Sequence, residues 1–275
     1  MLDFIQSVLE KAKKEGKIDP QLLPWEVWNS DPAVDRRVEH HQPRSLQNVP
    51  DGMFNEAKLI VENILALAKG KKLQVIGFSS PLSQAGTSTL ISVISYIAAT
   101  RTDARQANSN GNVGIEFSSQ GSGILLIDAQ LQHPSLHNIF AVKNEIGLVD
   151  LLFQQNYLNS ATEKVTANLD LVTMGQDSWD PRNQIEIEKF ESILEEARRE
   201  YKFVFLDLPP VLQCAEGSML SRLCDGIILI IEAGQTQWEA LEDTQELLEE
   251  AEVNVLGAVL NKKTEPIPES IHRII

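Results

Sequence analysis

Residues 73–89 read LQVIGFSSPLSQAGTST, and an apolar stretch follows them. The first part, 73–78, is apolar and has the length of a strand, and the last part opens a helix. A polar loop between a strand and a helix is the frame of a phosphate-binding loop, because N–H groups at a helix N-terminus bind phosphate. Gly86 and Ser88 stand where such a loop carries its glycine and its Mg²⁺-binding hydroxyl. Thr87 stands where the loop's lysine would neutralise phosphate charge.

The loop departs from the common pattern at a second position. Gln84 stands where another glycine would let the backbone approach the phosphates. Taken alone, the stretch fits a serine-rich strand-to-helix turn without a ligand equally well. The rest of the chain has to decide between the two interpretations.

Beyond this loop, apolar runs of strand length alternate with amphipathic helices. The runs are too continuous for a half-exposed sheet and are typical of strands covered on both faces. The sequence therefore predicts an α/β fold with a doubly wound, mostly parallel sheet flanked by helices, as in P-loop NTPases. The predicted strands are residues 73–78, 123–127, 169–173, 203–206, 226–231 and 253–260.

Two predicted helices have a defined apolar face. In residues 54–69 this face comprises Phe54, Ala57, Val61, Ile64 and Ala68. In residues 238–251 it comprises Trp238, Leu241, Leu247, Leu248 and Ala251. Residues 102–122 are polar and rich in Gly, Ser and Asn, which predicts a surface loop inserted before the next strand.

Two of the predicted strands end in an aspartate. The run 124–127 leads into Asp128, and the run 203–206 leads into Asp207. The carboxyl ends of parallel strands meet at one ligand crevice. Carboxylates placed there beside a phosphate loop hold Mg²⁺ and its waters. The sequence thus predicts a magnesium site formed by Ser88, Asp128 and Asp207.

The composition narrows the classes of partner. The chain of 275 residues has 39 acidic and 24 basic side chains, a formal net charge of -15. Such a surface repels phosphate backbones and anionic lipid headgroups, which argues against nucleic-acid binding and direct membrane insertion. No stretch approaches the roughly 20 apolar residues of a membrane span, and charges interrupt residues 1–17, unlike a signal peptide. We therefore expect a cytoplasmic protein.

The chain divides into three segments. Residues 1–52 combine a short amphipathic helix, at about 2–14, with a proline-rich linker. Residues 53–263 contain the phosphate loop and the predicted strands. Residues 264–275 form a short C-terminal tail.

The order of motifs resembles one family. After the P-loop come LLID-x-x-L-x-x-PSLH-x-x-F, GL-x-DLL, D-x-PPV, DG-x-x-L-x-x-x-AG-x-T and N-V-L-G-x-V-L-N. This order is similar to that of the bacterial tyrosine kinases of capsule and exopolysaccharide biosynthesis, which belong to the MinD/ParA-like P-loop ATPases. The resemblance covers residues 53–263. It implies a tyrosine-kinase-like domain that binds ATP or ADP with Mg²⁺.

The resemblance also assigns roles to residues. Asp128 and Asp207 match the two acids of the catalytic and metal site, and Ser88 matches the metal-binding hydroxyl. The phosphate cradle corresponds to Gly86, Thr87, Ser88 and Thr89. Asn261, which closes the last strand, matches the asparagine that contacts adenine in relatives.

Several positions depart from the family pattern at the catalytic site. Thr87 replaces the P-loop lysine, Gln130 replaces the second acid of Asp-x-Asp, and Gln132 replaces an arginine. A cation and a carboxylate are thus both missing. Losing one preorganised electrostatic group typically costs about 10²–10³ in kcat. We therefore expect little kinase activity and at most weak binding of nucleotide.

Other departures concern self-association and phosphorylation. Of the family's Glu-x-x-Arg-x-x-Arg oligomerisation pattern only Glu56 remains, with Leu59 and Glu62 in the arginine positions. Residues 265–275 contain no tyrosine, whereas active members end in a tyrosine cluster. The three tyrosines, Tyr96, Tyr157 and Tyr201, are expected to pack in the core or on helix faces.

Two functions remain open. The favoured hypothesis is a degenerate tyrosine-kinase-like protein, a pseudoenzyme that acts as a regulatory or scaffolding partner in exopolysaccharide or capsule biosynthesis and export. The alternative is an active ATP-dependent protein-tyrosine autokinase. A membrane-targeted partition ATPase is rejected because residues 264–275 do not form a basic amphipathic helix.

The resemblance implies a partner as well. Family members work with an inner-membrane chain-length or export protein, so we expect such a partner, peripheral localisation at the inner membrane through it, and self-association as a further contact. The apolar stripe of residues 2–12 is the candidate contact; packing of this stripe on its own domain is the equal alternative.

Overall fold

The elements of the fold follow from the alternation of apolar runs and amphipathic segments. The computed structural model describes Leu46, Val49 and residues 51–70, 72–107, 123–153, 157–176 and 185–262. The helices are α1 (Asp51–Gly70), α2 (Thr87–Ala107), α3 (Leu136–Phe140), α4 (Leu148–Phe153), α5 (Ile187–Glu200), α6 (Ala215–Ser221) and α7 (Trp238–Glu250). The strands are β1 (Val75–Ser79), β2 (Ile124–Asp128), β3 (Thr162–Lys164), β4 (Leu169–Val172), β5 (Phe203–Asp207), β6 (Gly226–Glu232) and β7 (Val255–Asn261).

The seven strands form a single sheet in the order β3-β4-β2-β5-β1-β6-β7. Every neighbouring pair is parallel except β3 and β4. The strand that leads into the phosphate loop, β1, lies between β5 and β6. The crossovers therefore bring the carboxyl ends of β1, β2 and β5 to one edge of the sheet.

The sheet is covered on both faces, as the continuous apolar strands require. Successive residues of a strand point to opposite faces, and in β1 Ile76 belongs to the core beneath α1 and α2, whereas Val75 belongs to the core on the other face. Helix α5 covers that second face through Phe190 and Ala197, both fully buried. The predicted doubly wound, mostly parallel architecture is confirmed.

All six predicted strands are present, with bounds shifted by one or two residues. The antiparallel strand β3 was missed because its three residues, TEK, lack an apolar run. The predicted loop at 102–122 is wrong in its first part, since α2 continues to Ala107. The last four residues of this part, Ala104 to Ala107, are good helix formers, and the Gly- and Ser-rich composition begins only after them.

The predicted inward face of α7 is also partly wrong. Leu241 and Leu248 are buried, but Trp238 is exposed. Trp238 is the first residue of the helix, and its neighbours Gln237 and Glu239 are exposed as well. The predicted helix at 2–14 and the tail at 264–275 lie outside the described residues. No described helix is both long and apolar enough to span a membrane.

Candidate functional site

The loop after β1 has a left-handed backbone at both positions where the phosphate-loop motif carries glycine. Gln84 has φ 67° and Gly86 has φ 84°, so both occupy the left-handed region that favours glycine. Helix α2 begins at Thr87, and the N–H of Leu90 donates to the carbonyl of Gly86 at 3.0 Å. The first N–H groups of a helix have no partner within it. They form a cradle for an anion at this end of α2.

The loop is fixed by the segment that follows β5. The hydroxyl of Ser79 donates to the carbonyl of Pro209 at 2.6 Å, and the N–H of Val211 donates to the carbonyl of Ser80 at 2.9 Å. Further along the loop, the N–H of Ser83 donates to the side-chain oxygen of Gln213 at 2.9 Å. The cradle is therefore preorganised by contacts with a second loop.

A cleft of about 560 Å³ opens over the cradle, a size typical of ligand sites. Its lining comprises Ser80, Ser83, Gln84, Ala85, Gly86, Thr87, Ser88, Thr89, Gln130, Gln132, His133, Ser135, Pro209, Pro210, Gln213, Cys214 and Lys262. The four predicted cradle residues, 86–89, are all in this lining. Thr87 is 5% exposed, so an uncharged, buried side chain occupies the lysine position.

The two predicted acids lie side by side. Asp128 and Asp207 end β2 and β5 and are paired in register. Both are fully buried. Neither belongs to the lining of the cleft, which places them beneath its floor rather than on its wall.

Asp128 is occupied by backbone hydrogen bonds. One oxygen accepts from the N–H of Gln130 at 3.2 Å, and the other accepts from Ser135 at 3.1 Å and Leu136 at 3.0 Å. Burial raises the pKa of Asp128 to about 6, although these N–H groups act in the opposite direction. The carboxylate thus ties the end of β2 to the start of α3.

Asp207 is less well satisfied. Burial raises the pKa of Asp207 well above its usual value and the charge of Asp128 adds to the rise, whereas hydrogen bonds from Ser88 and Gln130 lower it. The Gln130 amide nitrogen lies 3.4 Å from Oδ1 of Asp207 and donates to the carbonyl of Leu208 at 2.7 Å. Oδ2 of Asp207 is buried without a hydrogen-bond partner.

This orphaned oxygen provides a test of the predicted magnesium site. A buried carboxylate oxygen beside the Ser88 hydroxyl suits a hard cation. Among the described residues no group of three or more His, Cys, Asp or Glu could hold a metal by itself. Mg²⁺ commonly uses one or two protein oxygens together with waters and substrate phosphates. The residues therefore fit Mg²⁺ that arrives with a bound phosphate.

Asn261 is placed on the phosphate loop. Its side-chain amide donates to the carbonyl of Ala85 at 2.8 Å, and a Cβ on Gly86 would lie only 2.5 Å from this amide nitrogen. The amide thus braces the loop, and its contact with adenine stays a prediction. Sequence reasoning missed the next residue, Lys262, which lines the cleft. Its only signal was its position directly after a predicted strand.

The three tyrosines differ in exposure. Tyr96 and Tyr201 are buried, and the hydroxyl of Tyr201 donates to Asp170 at 2.9 Å. Tyr157 is 78% exposed, so the expectation that it packs in the core or on a helix face is wrong. It directly precedes a short 3₁₀ helix and therefore was not marked by any periodic pattern.

Solved structures share this architecture. The kinase domain of the Escherichia coli tyrosine kinase ETK is similar with a TM-score of 0.67 at 21% identity, over 85% of this chain and 86% of that chain. The chimerical protein CapA2B2 is similar with a TM-score of 0.61 at 23% identity, over 77% of this chain and 85% of that chain. At these identities the likeness concerns the fold, and it agrees with the predicted P-loop NTPase class.

Sequence relatives give the family. No protein-family model matches the chain. The tyrosine-protein kinase YwqD of Bacillus subtilis (strain 168) is 31% identical over 153 residues, 55% of this chain and 65% of YwqD, slightly less than two thirds of that relative. The proposed tyrosine-protein kinase CapB of Staphylococcus aureus is 30% identical over 154 residues, 56% of this chain and 68% of CapB. The chain belongs to the family of bacterial tyrosine-protein kinases.

Proposed function

We propose that this chain is a catalytically silent member of its family that binds adenine nucleotide weakly and acts as a regulatory or scaffolding partner in exopolysaccharide or capsule biosynthesis and export. One observation carries the proposal. The backbone cradle keeps its shape at Gln84 and Gly86, while the buried Thr87 stands in place of the catalytic cation.

Loss of turnover follows from the charges around the transferred phosphoryl group. Phosphoryl transfer relies on positioned positive charge and on metal held by acids. Thr87 supplies no charge, and the Gln130 amide bonds to Leu208 and approaches Asp207 where the family has a carboxylate. The loss of each group typically lowers kcat by a factor of about 10²–10³. The two losses together lower kcat by less than the product of the two factors, because groups that act together are not additive.

Binding is less affected than catalysis. A hydrogen bond to a charged group contributes about 1.5–3 kcal/mol, so loss of one lysine weakens a nucleotide without preventing its binding. The N–H groups at the start of α2 and the cleft of about 560 Å³ remain. Asp207 and Ser88 would hold Mg²⁺ that accompanies the phosphates, and the metal would supply positive charge there.

The role in polysaccharide biosynthesis rests on the names of relatives. A Klebsiella pneumoniae relative, 24% identical over 153 residues, is named as a proposed tyrosine-protein kinase in the cps region. A fold that is kept without its lysine suggests use of its surface. We therefore propose an inner-membrane chain-length or export protein as partner, with this chain cytoplasmic and held at the membrane through that partner.

Turnover is tested with purified protein, Mg²⁺ and ATP. We expect no hydrolysis above background and no phosphotyrosine. Turnover that Asp207→Ala abolishes, and that the surface variant Asp243→Ala leaves intact, would establish the active autokinase instead.

The partner is tested by co-purification with the membrane protein encoded beside it. Full-length protein and a form lacking residues 1–15 are compared. We expect recovery of the full-length form and reduced recovery of the shortened one. Equal recovery would exclude residues 2–12 as the contact, and no recovery of either form would contradict the scaffolding role.

A further inference from the structure

Lys262 lies at the rim of the phosphate cradle. Its ammonium nitrogen donates to the carbonyl of Gln84 at 2.6 Å and to the carboxylate of Glu232 at 3.1 Å. Its stem passes the loop, since a Cβ on Gly86 would lie 3.7 Å from its Cε. Lys262 thus bonds to Gln84, and its stem lies beside Gly86, the second loop residue with a left-handed backbone.

The backbone places the lysine there at a cost. Lys262 has φ 57°, a conformation that non-glycine residues seldom adopt. The end of β7 is held by the N–H of Ala233, which donates to the carbonyl of Asn261 at 2.9 Å. Asn261 in turn bonds to Ala85. The turn after β7 is therefore fixed against the loop, and the side chain of Lys262 is directed to the cleft.

No other Lys or Arg belongs to the described lining of the cleft. The chain as a whole has a net charge of -15, which repels an anionic ligand. Thr87 offers no charge at the usual position. A phosphate group that enters the cleft thus meets one cationic side chain, Lys262.

We propose that Lys262 replaces the missing P-loop lysine as the cation that holds the phosphates of a ligand in this cleft. An ammonium group has three N–H donors, and two are used by Gln84 and Glu232. The third is available to a phosphate oxygen, and rotation of the exposed stem can exchange Glu232 for the ligand. The inference rests on the proposed nucleotide binding, and it identifies Lys262 as the side chain whose positive charge contributes to that binding.

A purely structural brace of the phosphate loop is the competing explanation, and the two differ in their dependence on salt. Loss of a brace weakens ADP binding by the same factor at both salt concentrations, whereas loss of a phosphate-binding cation weakens ADP binding most at low ionic strength. Adenosine, which has no phosphate, reports on the rest of the site.

The test is a titration of full-length protein with ADP and with adenosine, in Mg²⁺, at two salt concentrations. Lys262→Met should weaken ADP binding by about tenfold or more, leave adenosine unchanged and reduce the salt dependence. Lys262→Arg should retain most of the affinity, and Glu232→Gln, which frees the ammonium, should not weaken it. Lys143→Met removes an exposed lysine paired with Glu145 and serves as the control.

The outcomes separate the two proposals. ADP binding by the wild type that Lys262→Met retains would overturn the role of Lys262 and leave the proposed function standing. A loss of ADP binding by Lys262→Met that is the same at both salt concentrations would show a brace and also overturn the role of Lys262 as a phosphate-binding cation. Absence of ADP binding by the wild type would overturn the proposed nucleotide binding, and the inference with it.

Discussion

At position 84 a glutamine has the backbone conformation that a glycine usually provides. A left-handed conformation costs a non-glycine residue roughly 1–2 kcal/mol. The loop holds it through contacts of its neighbours, such as Ser83 with Gln213. The residue type alone gave no sign of this conformation, because it follows from tertiary contacts.

Gln84→Gly should therefore stabilise the protein by about 1 kcal/mol, since glycine adopts φ 67° without strain. The measurement is the free energy of unfolding in urea. Ser83→Gly, in the same loop but without a positive φ, should instead destabilise slightly. If Gln84→Gly lost as much stability as Ser83→Gly, the backbone of Gln84 would not be strained in the wild type.

Two neighbouring carboxyl groups at the site have raised pKa values, Asp128 to about 6 and Asp207 well above its usual value. Protonation of a carboxyl group whose pKa is raised in the folded state stabilises the folded protein. This contribution is complete only below the pKa that the group has in the unfolded state, near 3.8. This contribution is lost as the pH rises through the folded pKa. The pair therefore destabilises the free protein at neutral pH.

Asp207→Asn should raise the melting temperature, and the gain should grow as the pH rises, because the variant cannot acquire the buried negative charge that the raised pKa of Asp207 shows to be unfavourable. The gain should shrink toward pH 4, where the wild-type carboxyl is protonated. Thermal melts of both proteins across this range provide the measurement. Asp243→Asn on the exposed face of α7 should have little effect, and a pH-independent difference for Asp207→Asn would contradict the assignment.

At the scale of elements, β1, β6 and α5 are joined by one ionic cluster. The guanidinium of Arg198 donates to both oxygens of Asp225 at 2.8 and 2.7 Å. The same carboxylate accepts the N–H groups of Gln74 and Val75, each at 2.7 Å. Burial alone would raise the pKa of Asp225, but Arg198 and these N–H groups together lower it.

Arg198→Met should destabilise the protein by about 2 kcal/mol, because it leaves Asp225 without its cationic partner. The variant should also lose the component of stability that falls as the pH drops through the lowered pKa of Asp225. Urea unfolding at pH 7 and at a pH well below 3.8, the usual pKa of an aspartate, measures both effects. Arg199→Met on the same helix, in an exposed pair with Glu195, should change stability by less than about 0.5 kcal/mol. Equal effects of Arg198→Met and Arg199→Met on stability would show that the pairing of Arg198 with Asp225 does not stabilise the protein.

The elements themselves were largely predictable. Strands buried on both faces have continuous apolar runs, so β1, β2, β4, β5, β6 and β7 were found from the sequence. Strand β3 is held by pairing with β4 rather than by burial of its own side chains, which are partly or fully exposed. Short helices such as α3 follow from a tertiary contact, here with Asp128, and no periodic pattern marks them.

Across the whole molecule, contacts between residues can be predicted from the sequence only when the residues belong to one motif that is continuous along the chain. The cradle at 86–89 is such a motif. Lys262 reaches the loop from 178 positions away and was missed. The parallel sheet makes this contact, because β7 and β1 both end at the edge where ligands bind.

We propose that the cleft has kept the shape of a phosphate site and lost the lysine charge of the family pattern. The most direct measurement is a titration of ADP and ATP, with and without Mg²⁺, on the wild type and on Thr87→Lys. We expect weak, Mg²⁺-dependent binding by the wild type and binding about tenfold or more tighter by Thr87→Lys. Unchanged affinity in Thr87→Lys, or an absence of binding in both proteins, would contradict it.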